Sequence, residues 1–88
     1  MAETNKSRFK QLHPAKTIHE EMKGAEVLKE RDIDPVCATR IIKVDKSESS
    51  YPYIVEVVRK PFSEDEVNFK FQDFKTLEEA ERFMSRII

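Results

Sequence analysis

The spacing of apolar residues changes character along this chain, and the changes mark its elements. In PAKTIHEEMKGAEVLKER, residues 14–31, Ile18, Met22, Ala25 and Leu28 follow one another at intervals of four, three and three. Such spacing predicts an amphipathic helix. Pro14 suits a first helical turn, where its missing N–H is not needed. Glu20 and Glu21 lie early and Lys29 and Arg31 late, the order that complements a helix dipole. Gly24 weakens the middle of such a helix, or lets a neighbouring backbone approach. Asp34-Pro35 closes the segment, because a residue before proline avoids the helical region.

From Val36 the chain becomes rich in β-branched residues. Val36, Ala38, Ile42 and Val44 share one parity, interrupted by Arg40, and Ile41 points the other way. This predicts a strand with some burial on both sides. A polar loop follows from Asp45 to Ser50. Tyr51 to Arg59 is the clearest strand: Tyr53, Val55 and Val57 share one face, and Ile54, Glu56 and Val58 share the other. After an acidic turn at residues 60–66, Val67, Phe69 and Phe71 alternate with Asn68, Lys70 and Gln72 as a third strand. Thr76 and Glu79 form a T-x-x-E capping box. Behind it, Leu77, Ala80, Phe83, Met84 and Ile87 line one side of a closing helix.

The predicted architecture is α+β, in the order α-β-β-β-α. Short polar loops favour a three-stranded antiparallel meander packed on the C-terminal helix. Val55, Val57, Phe69 and Phe71 are expected to receive the stripe of that helix. Residues 1–12 read as a flexible basic arm and residues 13–88 as one small domain, since 88 residues suffice for one.

Composition narrows the function. Apolar residues make up 39% of the chain and charged residues 38%, with 16 basic side chains against 17 acidic. Near-balance argues against a general nucleic-acid coat, which needs a basic excess to displace counterions. The single cysteine, Cys37, forms no intramolecular disulfide. The N-terminal sequence lacks the apolar run of a secretory signal, and no stretch is apolar for the length of a membrane span. A soluble, cytoplasmic protein without membrane contact is expected. With one glycine, phosphate-cradling glycine loops are excluded.

Catalytic and metal chemistry find little support. His13, His19 and Cys37 are the soft ligand candidates, but no CxxC or HxxxH pair is present. Cys37 opens a strand, where a thiol is usually buried and inert. Neither metal nor cofactor is expected, and the chain is read as non-enzymatic.

The leading expectation is a binding or regulatory module that acts through protein–protein contact, with a homodimer as its simplest form. Ile41, Ile54, Val58 and Ile88 are the candidate self-association residues. The alternative is a nucleic-acid-binding module that uses an exposed sheet face and the basic arm. Its candidate contacts are Lys6, Arg8, Lys10, Arg40, Lys43, Arg59, Lys60 and Lys70. In the order and length of its elements, residues 38–86 resemble arm-type integrase and AP2-like DNA-binding domains. That resemblance implies strands entering a major groove. The arginine- and tryptophan-rich strand motif of those domains is missing here, and Glu56 sits among the basic residues that could substitute.

Overall fold

A computed structural model describes residues 7–60 and 67–87. Lys6, the acidic turn at 61–66 and Ile88 therefore lie outside the described residues. The fold is α+β, with a four-stranded antiparallel sheet in the order β1-β2-β3-β4. Its elements are α1 (Arg8–Leu12), β1 (Glu26–Asp34), β2 (Cys37–Lys43), β3 (Tyr53–Arg59), β4 (Asn68–Phe74) and α2 (Leu77–Ser85). The three strands read from the sequence correspond to β2, β3 and β4.

The additional strand corrects the expected helix over residues 14–31. Residues 14–25 form turns, and the second half of the segment is β1. Gly24 adopts φ +73°, which is incompatible with a right-handed helix. A Cβ there would lie 3.2 Å from the backbone nitrogen of Asp45, whose N–H donates to the carbonyl of Lys23 at 2.9 Å. The chain thus turns beside Asp45 and enters β1. Pro35 and Val36 then form a tight turn into β2, fixed where Asp34 accepts from the Val36 N–H at 2.9 Å. The Asp34-Pro35 signal marks a hairpin, not a helix end.

Within the expected arm, residues 8–12 form α1. Ser7 caps it by accepting from the Lys10 N–H, and Phe9 is fully buried against Ala38 and Val58. At the other end of the chain Thr76 accepts from the Glu79 N–H at 3.2 Å, as the capping pattern predicts.

Both faces of the central strands β2 and β3 are covered, giving three layers. On one face Ile41 and Val55 pack against Ala80 and Met84 of α2, with Tyr53, Val57, Phe74, Leu77 and Ile87 around them. On the other face the N-terminal segment lies across Ala38, Ile42, Ile54 and Val58, contributing Phe9, Leu12, Met22 and Ala25. Tyr53, Val55 and Val57 face α2 as predicted.

The parity of β4 is opposite to the expectation. Val57 pairs with Lys70 and Val55 with Gln72, so Lys70, Gln72 and Phe74 share the α2 side. Phe69 joins Phe9 and Val58 on the N-terminal side, and Phe71 sits there edge-on to His19 at 4.5 Å. Alternation within a strand groups its side chains, but the register with its neighbour decides which group faces which layer.

Candidate functional site

Two arrangements of functional groups stand out, one sealed and one open. The sealed one lies between the N-terminal segment and the sheet. Arg40 and Glu56 are opposed in the β2–β3 pair and are 1% and 0% exposed. The Arg40 Nε donates to Glu56 Oε1 at 2.8 Å, and His19 Nδ1 donates to Glu56 Oε2 at 2.7 Å. The Arg40 guanidinium also lies 3.2 Å from the Glu20 carboxylate and stacks 4.0 Å above the Phe9 ring. Glu20 accepts from the Lys10 ammonium at 2.6 Å and from the Thr17 N–H at 2.8 Å.

The cluster has the polar satisfaction that buried charge requires. Burial alone would raise the pKa of Glu56, but hydrogen bonds from His19, Thr17 and Arg40 and the Arg40 charge lower it. For Glu20, burial is likewise outweighed by Lys10, the Thr17 backbone and Arg40, and its pKa falls to about 2. Both carboxylates are held ionised, and their negative charge anchors the N-terminal segment to the sheet. The His19–Glu56 pair, which resembles a general acid–base couple in its atoms, has side chains 5% and 0% exposed.

This burial corrects several candidate contacts. Arg40 is neutralised inside the cluster and offers nothing to a phosphate. Ile41, Ile54 and Val58 are 0%, 2% and 0% exposed, because α2 covers the first and the N-terminal segment covers the other two. They are core residues of the single chain. Arg8 donates to the Pro35 carbonyl, and Lys10 is paired with Glu20, so both are tied to the fold. The sheet face that a strand-in-groove arrangement would present is occupied by the N-terminal segment.

The exposed cations Lys43, Arg59, Lys60 and Lys70 do not make one stripe. Lys43 borders a hollow of about 330 Å3 with Glu26, Asp45 and Lys46, where acid and base balance. Lys70 lies two strands away and nearer the opposite end of the sheet, close to Arg59. Cys37 is buried, and burial together with Asp34 raises its pKa. His13 packs between Phe9 and Phe69 and is hydrogen-bonded to the Ala15 carbonyl. Among the described residues no group of three or more His, Cys, Asp or Glu is placed to hold a metal ion. No described helix is long and apolar enough to cross a membrane.

The open arrangement is a groove on the α2 side, beside the outer strand β4. Two adjoining hollows of about 260 and 220 Å3 share Val57, Lys70 and Ile87. Val55 and Val57 form the floor, Phe83 and Ile87 the helix-side wall, and Lys70, Gln72 and Arg59 the polar rim. Phe83 is 36% exposed. Beyond the rim, the outer edge of β4 has no strand partner among the described residues. Sequence reasoning found Lys70 and Arg59 but missed Phe83 and Ile87 as groove residues, because their spacing also fits pure core packing.

No protein-family model matches the chain, and no curated protein or solved structure matches it.

Proposed function

We propose that this chain is a non-catalytic binding module that acts through protein–protein contact, receiving an extended segment along the edge of β4. The observation that carries this reading is the contrast between the two outer strands. β1 has six charged residues among nine and two register irregularities, at Val27/Lys29 and at Asp32/Asp34. Charge and bulges are the usual means of blunting an edge against further pairing. β4 pairs with β3 in unbroken register over all seven residues and carries only Lys70 and Asp73 as charges. Its free edge borders an apolar groove, so an added strand would gain both backbone hydrogen bonds and side-chain burial.

The test is a selection of random extended peptides displayed against the immobilised protein. Enrichment of sequences alternating apolar and polar residues is expected. Their binding should fall at least about tenfold, or about 1.4 kcal/mol, with Phe83→Glu or Lys70→Glu. Absence of enrichment, or enrichment indifferent to both substitutions, would remove the proposal. Salt-sensitive binding of duplex or single-stranded nucleic acid, abolished by Lys43→Glu with Lys70→Glu, would favour the nucleic-acid alternative instead.

A further inference from the structure

We propose that the segment received by β4 is the β4 strand of a second copy of this chain, paired antiparallel about a two-fold axis at Phe71. This inference rests on the reading of β4 as the docking edge and names its partner. A two-fold axis between identical antiparallel strands passes between one residue and its twin. It pairs residues lying equal distances to either side, so each strand tests its own sequence against itself.

β1 fails that test. Every axis position from Leu28 to Asp32 sets at least one like-charged pair in direct opposition. At Glu30 the axis opposes Glu30 to its twin and Lys29 to Arg31; at Leu28 it opposes Glu26 to Glu30. Like charges in direct opposition destabilise a strand pair.

β4 passes the test when the axis lies at Phe71, the middle residue of Asn68–Phe74. Lys70 then faces Gln72, Phe69 faces Asp73, Asn68 faces Phe74 and Phe71 faces its twin, with no like charges opposed. Axes at Lys70 or Asp73 would oppose like charges, and other positions leave part of the strand unpaired. Phe71 is 48% exposed although it is a large apolar side chain. Pairing buries it against the second Phe71 on the side of the sheet that holds His19. The same axis sets the two α2 helices on one face of a continuous eight-stranded sheet, with the two grooves side by side.

Register-specific disulfide formation tests the geometry. In a Cys37→Ser background, Phe71→Cys places two thiols at directly opposed positions, where Cα atoms are about 4.5 or 5.5 Å apart. That separation lies within the range a disulfide spans, about 4.4–6.8 Å. Lys70→Cys and Gln72→Cys place each thiol diagonal to its twin, roughly 7–8 Å away. Under mild oxidation the Phe71→Cys chain should form covalent dimer at least about tenfold faster than the other two. Light scattering on the unsubstituted protein should give twice the 10.4 kDa chain mass. A strict monomer at high concentration, or equal rates for the three cysteines, would overturn the proposal. If the peptide selection still succeeds in that event, β4 remains a docking edge for another protein. If both fail, the docking reading falls as well.

Discussion

Arg40 and Glu56 interrupt otherwise apolar strands, and the structure explains the interruption by setting them side by side in the core. The arrangement stabilises the fold only as long as each charge keeps its partner. Glu56→Ala would leave Arg40 and His19 facing a buried void, and it should cost about 3–5 kcal/mol in urea unfolding. A loss below ~1 kcal/mol would mean that the cluster is not closed as described. Glu20 gives a pH test. Its folded-state pKa of about 2 lies below its ordinary 4.5, so the unfolded chain takes up the proton first. Its stabilising contribution is therefore complete above about 4.5 and is lost as the pH falls toward 2. The wild type should exceed Glu20→Gln in urea midpoint at pH 7, and the gap should close on acidification over that window. Much of this cluster was legible in principle. A lone cation and a lone anion in neighbouring apolar strands, each breaking an apolar run, signal an internal pair. What the sequence alone could not reveal was that His19 and Glu20 arrive from a turn, because the apolar spacing around them fits a helix.

At the scale of elements, the outcome divides by how much each element buries. β2 and β3 lie in the middle of the sheet, and their β-branched runs were read as strands without difficulty. α2 combines a capping residue with an apolar stripe. Thr76→Ala should cost about 0.5–2 kcal/mol through the lost bond to the Glu79 N–H, read by thermal or urea unfolding. β1 was missed for a physical reason. Its first seven residues are exposed, so no inward-facing set imposes a period of two on them. The sparse apolar spacing that remained happened to match a helix. Phe71 and Phe69 teach a related lesson: their alternation identified β4, but its register against β3 set their face. The energetic consequence is direct. Phe69 belongs to a core cluster, whereas Phe71 is half-exposed and contributes less to the stability of a single chain than its size suggests.

The whole molecule is a sheet enclosed between α2 and the N-terminal segment, with charge holding the second of these layers in place. Enclosure of β2 and β3 removes the middle of both sheet faces from the list of available surfaces and leaves the outer strands and the groove. That is why the buried candidates for partner contact, Arg40, Ile41, Ile54 and Val58, gave way to Phe71, Phe83 and Ile87. The docking claim depends on β4 being the receptive edge and β1 the blunted one. Residue-resolved amide hydrogen exchange, compared between the free chain and the chain with its bound segment, tests this most directly. Added protection is expected at alternate amides of Asn68–Phe74, with β1 unchanged. Protection gained along Glu26–Asp34, with β4 unaltered, would contradict it.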